Sequence, residues 1–182
     1  MRKAHLEDID EIMDIIKMTI LEMHSYNNYQ WDENYPQEKD FITDINEGNL
    51  YVSERDEKLV AFICVNQIEP DEYSGLDWSS TKEGMVIHRM SVHPEYRRNG
   101  VGLELMNFAE VLAQSHNIAY LKTDTNSMNA KMQSLFIKCG YKYIGDISFL
   151  GKEEPFYCYD KLLQSSTPLS SIIPKVTSVT SS

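Results

Sequence analysis

Residues 88–110 read H-R-M-S-V-H-P-E-Y-R-R-N-G-V-G-L-E-L-M-N-F-A-E and contain a strand end, a loop with two glycines and the start of a helix. The run from Met85 to Val92 is apolar and β-prone, and Pro94 ends it because proline cannot donate to a strand ladder. Apolar residues recur at helical spacing from Leu105 onward, which predicts a helix that begins near Val101.

The loop between this strand and helix has the composition of an anion-binding site. Glycine lets the backbone approach a ligand closely, and the free N–H groups and dipole of a helix start favour negative charge. Arginine adds charge-assisted hydrogen bonds. A P-loop would end in Gly-Lys-Ser/Thr, and a dinucleotide fingerprint would need glycine at Leu105. The loop therefore predicts a site for another phosphorylated cofactor; the structural alternative is a tight turn with solvated basic residues.

Composition limits the remaining function classes. The chain has 182 residues, 42% of them hydrophobic and 25% charged, which predicts one globular domain. A net charge of −11 disfavours nucleic-acid binding and weakly favours cationic partners such as amines. Neither a membrane span nor a signal peptide is visible, so we expect no membrane association and a cytoplasmic location. The cysteines, Cys64, Cys139 and Cys158, are few and widely spaced, which predicts free thiols and no metal site.

Periodicity predicts an alternation of strands and helices. The predicted strands are 2–4, 50–55, 59–67, 85–92, 118–125, 141–144 and 156–162. The predicted helices are 9–23, 37–46, one from 101 and 129–138. Residues 69–83 form a long acidic loop. From Gln164 about half of the residues are Ser or Thr, so we expect a domain over 1–163 and a disordered tail over 164–182, with a partner-binding segment near Ile172 as the alternative.

Two motifs resemble those of the GCN5-related N-acetyltransferase (GNAT) superfamily. The first is Arg-x-x-Gly-x-Gly after a strand ending Val-His-Pro, which resembles the coenzyme A pyrophosphate loop of that family. The second is N-A-K-M-Q-S-L-F-I-K-C-G-Y at residues 129–141, which is similar to the family pattern Asn-x-x-Ala-x-x-Leu-Tyr-x-x-x-Gly-Phe/Tyr. The matching positions are Asn129, Leu135, Gly140 and Tyr141. The resemblance covers about residues 2–162 and implies an α/β fold with a mixed, mostly antiparallel central sheet flanked by helices.

The same resemblance implies an acetyl-CoA-dependent N-acetyltransferase that acts by direct transfer in a ternary complex. It implies that the backbone of Met90, Ser91 and Val92 contacts the pantetheine arm and the acetyl oxygen. The implied pyrophosphate-binding residues are Arg97, Arg98, Asn99, Gly100, Val101 and Gly102. Asn129 would bond the amide of the arm; helix N-capping is the equally weighted alternative.

Two departures from the family pattern are visible. Met132 replaces an alanine, which concerns packing, and Phe136 replaces the tyrosine that protonates the departing thiolate in many relatives. Phe136 has no hydroxyl, so Tyr157 and Tyr159 are alternative candidates for the proton donor. The structural alternative is that both tyrosines only pack in the fold.

A base is also needed, since an alkylamine has a pKa near about 10.4. The two candidates are His88 and Asp124. The structural alternatives are that His88 is a hydrogen-bonded core histidine and that Asp124 holds the loop that follows its strand.

The resemblance implies that the acceptor is bound by the loop between the first two helices and the loop before the fourth strand, where aromatic residues are interleaved with carboxylates. Trp31 and Tyr35 lie between the first two helices, and Tyr73 lies in the acidic loop. Such a surface suits a cationic ligand, although Trp31 and Tyr35 would serve equally to cover the core edge. We therefore expect a small-molecule or amino-acid-like amine as acceptor. Two alternatives stay open, a non-catalytic acyl-CoA-binding domain and a protein N-terminal acetyltransferase, as does the choice between monomer and homodimer.

Overall fold

The computed structural model describes residues 1–164, which contain one seven-stranded sheet. The strands are β1 (Arg2–Lys3), β2 (Leu50–Arg55), β3 (Lys58–Asn66), β4 (Met85–Val92), β5 (Tyr120–Asn126), β6 (Lys142–Ile147) and β7 (Phe156–Leu162). Their order in the sheet is β1-β2-β3-β4-β5-β7-β6. Neighbouring strands are antiparallel except β4 and β5, which are parallel. The predicted mixed, mostly antiparallel sheet is confirmed.

Four helices flank this sheet: α1 (Ile9–His24), α2 (Glu38–Asn46), α3 (Val101–Ser115) and α4 (Ala130–Lys138). Side chains of β3 alternate between the two faces, as the period of two in a strand requires. Ile63 and Val65 pack in the core with α3 and α4, whereas Phe62 and Cys64 pack in the core with α1 and α2. Apolar residues on both faces explain why β3 reads as a nearly continuous apolar run.

The pairing between β4 and β5 is short. Only Met85, Val86 and Ile87 pair with β5, opposite Leu121–Thr123, and the side-chain hydroxyl of Thr123 donates to Ile87 O over 3.0 Å. Both strands continue beyond this point, β4 against β3 and β5 against β7. A bulge accompanies the divergence, because Ile63 and Val65 of β3 face Met90 and Ile87 of β4. A wedge-shaped gap therefore opens between the two central strands.

The acidic loop is tied to the sheet. It contains a 3-10 turn, Asp71–Gly75, and it was predicted only as a loop. The backbone N–H and hydroxyl of Ser79 donate to the buried carboxylate of Asp160, over 2.8 and 3.0 Å. Lys122 Nζ donates to Glu69 over 2.7 Å. These contacts hold the loop across β5 and β7.

Four predicted strands differ from the observed ones in their bounds, β1 and β3 by no more than one residue at either end and β5 and β6 by more. Strand β5 begins two residues later than the predicted 118, because Asn117 has φ of 60° and Ile118 N bonds Ala113 O, which closes the end of α3. Strand β6 extends to Ile147, beyond the predicted 144, because Ile147 pairs with Phe156 of β7. The end of the preceding helix decides the first bound, and pairing with the next strand decides the second.

Cys64, Cys139 and Cys158 are free thiols, as predicted. Within residues 1–164, no group of His, Cys, Asp and Glu side chains is arranged to hold a metal ion. No helix in this range combines the length and the apolar character that a bilayer crossing requires. The predicted tail, apart from Gln164, lies outside the described residues.

Candidate active site

A cavity of about 810 Å³ lies at the gap between β4 and β5, a size typical of small-molecule sites. It is lined by one face of α1, the connection from α1 to α2, the diverging ends of β4 and β5, the loop before α3, and α4. Sequence-predicted residues on its wall are Trp31, His88, Met90, Ser91, Val92, Arg97, Arg98, Gly102, Asp124, Asn129 and Phe136. Most of the predicted cofactor set therefore lines one cavity.

The loop before α3 has the backbone of an anion cradle. Arg98 and Gly100 both have left-handed φ, 64° and 83°. The first backbone hydrogen bond of the helix runs from Glu104 N to Gly100 O. The N–H groups of residues 101–103 lie before this bond and have no acceptor within the helix. Asn99 and Gly100 are exposed, whereas the side chain of Val101 is buried in the core. Val101 can therefore contribute only its backbone to a ligand.

Gly102 allows α3 and α4 to approach each other. A Cβ at this position would lie 3.3 Å from Leu135 Cδ2, which is tight. A Cβ at Gly100 would meet no heavy atom within 4 Å. The two glycines are thus required for different reasons: Gly100 for its backbone conformation, and Gly102 for packing beside the cavity.

The two arginines of this loop differ in their surroundings. Arg98 is exposed, whereas Arg97 is half-buried and burial lowers its pKa. Arg97 Nε donates to Val92 O over 2.8 Å and Nη2 to Thr19 Oγ1 over 3.3 Å, and the guanidinium forms an ion pair with Glu22. Glu22 also pairs with Lys131 of α4. These ion pairs cross the cavity from α1 to both the loop and α4.

The end of β4 presents backbone groups to the cavity. Ser91 directs its hydroxyl to Thr19 Oγ1, at 2.8 Å, so its side chain is used for packing against α1. Met90 and Val92 line the cavity. In the described chain, the β4 edge that faces β5 pairs with no strand beyond Ile87. An unpaired strand edge on the cavity wall is what the predicted backbone contacts to the pantetheine arm require.

Asn129 serves as the N-cap of α4. Its Oδ1 accepts from Met132 N over 3.3 Å, and its Nδ2 donates to Gln30 Oε1 over 3.4 Å. Capping was one of the two roles left open by the sequence, and contact with a ligand remains compatible with it because Asn129 also lines the cavity.

Phe136 is 1% exposed and borders the cavity, with its ring centroid 5.3 Å from that of Tyr159. Tyr159 lies behind Phe136, and Tyr157 packs edge-on against Tyr143 at 5.5 Å. Neither Tyr157 nor Tyr159 lines the cavity. The structure therefore does not bring either predicted proton donor to the site.

His88 borders the cavity as a neutral ring. Asn66 Oδ1 lies 2.7 Å from its Nε2, so this nitrogen carries the proton. Burial, together with the positive charge of Arg89, lowers the pKa of His88 to about 4. An imidazole in this state is a weak base.

Asp124 also borders the cavity, at the end of β5. The hydroxyl of Tyr73 donates to its Oδ2 over 2.6 Å. Burial raises the pKa of Asp124 to about 6, an effect that the hydrogen bond from Tyr73 opposes. At neutral pH this carboxylate is ionised and a stronger base than His88.

Of the three predicted acceptor-binding aromatics, only Trp31 lines the cavity. The hydroxyl of Tyr35 accepts from Arg89 Nη1 over 2.8 Å, and Arg89 makes a two-pronged ion pair with Asp44. Tyr73 is 1% exposed and lies behind Asp124. Tyr35 and Tyr73 therefore hold Arg89 and Asp124, respectively, and do not line the cavity themselves.

Gln30 is a cavity residue that sequence reasoning missed. Its Oε1 accepts from Thr125 Oγ1 and Asn126 N, both over 3.1 Å, as well as from Asn129. It thus joins the α1–α2 connection to the end of β5 and the start of α4. A single glutamine in a polar loop carries no local signal for this role. Glu22 and Lys131 were missed for the same reason.

Comparison with known proteins agrees with this geometry. The Acetyltransferase (GNAT) family model matches residues 15–141. The uncharacterized N-acetyltransferase YesJ of Bacillus subtilis (strain 168) is 21% identical over 146 residues, which cover 78% of this chain and 81% of that protein.

Solved structures share the fold. A GNAT-family acetyltransferase from Streptococcus agalactiae 2603 is 25% identical, with a TM-score of 0.78 over 90% of this chain and 94% of that one. The Salmonella typhimurium protein yncA, solved with its cofactor acetyl-CoA, is 14% identical with a TM-score of 0.67 over 93% of this chain and 96% of that one. The family model spans 127 of the 182 residues (15–141), and the fold matches that of solved members, so this chain belongs to the acetyltransferase (GNAT) family.

Proposed function

We propose that this protein is an acetyl-CoA-dependent N-acetyltransferase that acetylates the primary amine of a small-molecule or amino-acid-like acceptor. The observation that carries the proposal is the single cavity that runs from the cofactor loop, Arg97–Gly102, to the ionised carboxylate of Asp124. A phosphorylated cofactor held by that loop would therefore share one cavity with a basic group, as transfer in a ternary complex requires.

The residues of the cavity fit acetyl-CoA. The left-handed backbone at Gly100 and the amides that precede the first bond of α3 suit a pyrophosphate, and Arg97 and Arg98 add positive charge. The open edge of β4 suits the amide-containing arm. Acetyl-CoA, when bound, supplies a thioester whose acyl carbon accepts the nucleophile.

Asp124 is the base that we assign to this reaction. An alkylammonium has a pKa of about 10.4, so transfer of its proton to Asp124, with a pKa of about 6, costs about 6 kcal/mol. Transfer to His88, with a pKa of about 4, costs about 9 kcal/mol. The difference of about 3 kcal/mol favours Asp124, which takes the proton and leaves the nitrogen lone pair free.

No side-chain acid is assigned to the leaving sulfur. Phe136 has no hydroxyl, and Tyr157 and Tyr159 do not line the cavity. A thiol has a pKa near about 8.5, so a thiolate is a tolerable leaving group that water can protonate. Catalysis then depends on positioning and on the base.

The acceptor side suits a cationic amine. Trp31 and Asp124 both line the cavity. A ring face and a carboxylate both attract an ammonium group. A panel of alkylamines, polyamines, aminosugars and amino acids, incubated with acetyl-CoA and assayed for free thiol, tests the proposal directly. We expect acceptor-dependent thiol release that Asp124→Asn reduces at least 100-fold.

A non-catalytic acyl-CoA-binding domain is the second candidate, and Phe136 at the position of the usual proton donor favours it. Saturable binding of acetyl-CoA, seen as a thermal shift, without thiol release from any amine would establish it. Absence of both binding and thiol release would refute both proposals.

A further inference from the structure

The contact between Tyr73 and Asp124 joins the acidic loop to the cavity. The tyrosine hydroxyl donates to Asp124 Oδ2 over 2.6 Å, which is short for a bond between a neutral donor and an acceptor and is typical of an ionised one. Within residues 1–164, the other oxygen, Oδ1, accepts no hydrogen bond. One oxygen of a cavity-lining carboxylate is thus held, and the other has no hydrogen-bond donor within residues 1–164.

Tyr73 is itself held rigidly. Its side chain is 1% exposed and packs with Val86, Phe156 and Cys158. Trp78 Nε1 donates to Tyr73 O over 2.9 Å, and the two rings lie 4.8 Å apart. A tyrosine fixed at both its backbone and its ring can hold its hydrogen-bond partner in one orientation.

From this geometry we propose that Tyr73 is a positioning residue: its hydroxyl orients the Asp124 carboxylate so that Oδ1 faces the acceptor amine. The inference rests on the proposed function. In the proton step an N–H bond of the acceptor ammonium breaks and an O–H bond forms at Oδ1, while Tyr73 keeps its own proton and its bond to Oδ2. The nitrogen lone pair then forms the N–C bond to the acyl carbon while the C–S bond of the thioester breaks. The second proton of the nitrogen passes through water to the departing thiolate, and Asp124 returns its own proton to water.

Groups from every neighbouring element set the charge around Asp124. Glu72 of the acidic loop disfavours its ionised form, whereas the bond from Tyr73 favours it. Cys158 of β7 lies opposite Asp124 in the sheet, and its thiol is neutral because burial raises its pKa. Burial raises the pKa of the phenol of Tyr35, from the connection between α1 and α2, and the carboxylate of Asp124 adds to this effect. His88 of β4, which lines the same cavity, has a lowered pKa and is neutral. Tyr73 is therefore the hydrogen-bond donor that stabilises the ionised carboxylate.

The test compares Tyr73→Phe with Tyr120→Phe. Tyr120 is a matched control, because its hydroxyl also donates over 2.6 Å to a buried carboxylate, Asp160, and the same loop bonds that carboxylate. Tyr120 and Asp160 do not line the cavity. Each change keeps the ring and removes one hydroxyl, so both variants lose similar stability and only one loses the bond to the base.

In Tyr73→Phe we expect the acid limb of the kcat/KM profile to move up by about one pH unit, since loss of a bond to the charged form raises the pKa of the carboxyl. We also expect kcat to fall about tenfold at pH 8, where the base is ionised in both proteins. Acetyl-CoA affinity and the Tyr120→Phe profile should match those of the wild type. Equal profiles for Tyr73→Phe and Tyr120→Phe would overturn the inference.

Two further measurements separate this inference from the proposed function. The double variant Tyr73→Phe/Asp124→Asn should be no slower than Asp124→Asn, because Tyr73 acts through the carboxylate. The carboxyl titration of Asp124, followed by carbon NMR, should move upward in Tyr73→Phe whether or not an acceptor is known. An unchanged titration overturns the inference, whereas absence of turnover in the wild type with a shifted titration overturns only the proposed function.

Discussion

At Gly100 the backbone adopts φ of 83°, and a Cβ added there would meet open space. Gly151 is a matched control, with φ of 64°, open space and no contact with the cavity. A Cβ in the left-handed region costs about 1 kcal/mol at either position. We expect both alanine variants to lose similar stability, and only Gly100→Ala to weaken acetyl-CoA binding, by tenfold or more in calorimetry. Equal affinities would remove Gly100 from the cofactor site.

The raised pKa of Asp124 has a cost in stability. Its carboxyl has an ordinary pKa of 3.8 and a pKa of about 6 in the fold, so the folded chain binds a proton that the unfolded chain has released between these values. Stability therefore falls as the pH rises from about 4 to about 6, and the full penalty is present above that. We predict that Asp124→Asn, which carries no charge, is more stable than the wild type by about 1–3 kcal/mol at pH 8.

Urea unfolding at pH 5 and pH 8 measures this effect, and the advantage of Asp124→Asn should be smaller at pH 5. Asp14→Asn removes the same charge from an exposed side chain and serves as the control. An advantage that does not depend on pH would mean that the carboxyl has an ordinary pKa.

Between elements, Glu22 of α1 holds Arg97 of the cofactor loop and Lys131 of α4. A phosphate-bearing ligand must compete with this carboxylate for both cations. We predict that Glu22→Gln tightens acetyl-CoA binding about threefold to tenfold at low salt, with a smaller gain at high salt because ions screen the competition. Glu110→Gln breaks an ion pair with Lys161 away from the cavity and should leave the affinity unchanged. Weaker binding in Glu22→Gln would show that Glu22 supports the ligand site.

Elements with strong local signals were predictable, and pairings over long distances were not. The strand Met85–Val92 and the helix that starts at Val101 have clear local periodicity and are separated by a proline and a glycine. The position of the loop between them could therefore be predicted from the sequence. The partners of Tyr35 and Tyr73 could not, because Arg89 and Asp124 lie 54 and 51 residues away along the chain. Aromatic residues beside carboxylates were interpreted as a ligand surface, whereas burial made two of them internal supports.

At the scale of the whole molecule, the last described contacts of the domain lie just after β7. Leu163 N bonds Ala119 O, and Gln114 Nε2 donates to Gln164 O. Residues 165–182 are rich in Ser and Thr and poor in apolar surface. We predict that their deletion changes the melting temperature by less than about 2 °C and leaves acetyl-CoA affinity intact. A larger loss in a thermal melt would show that this segment packs on the domain.

The three-residue seam between β4 and β5 makes the sheet a pair of half-sheets, β1–β4 and β5–β7–β6. Such a seam can part while each half keeps its own ladder, so sub-global opening should cost less than unfolding. Those amide protons of residues 121–123 that donate across the seam to β4 should then exchange with deuterium faster than those in the ladder between β2 and β3. A ligand that bridges the two halves would slow that exchange, so binding in the cavity would make the unfolding of the two half-sheets more cooperative.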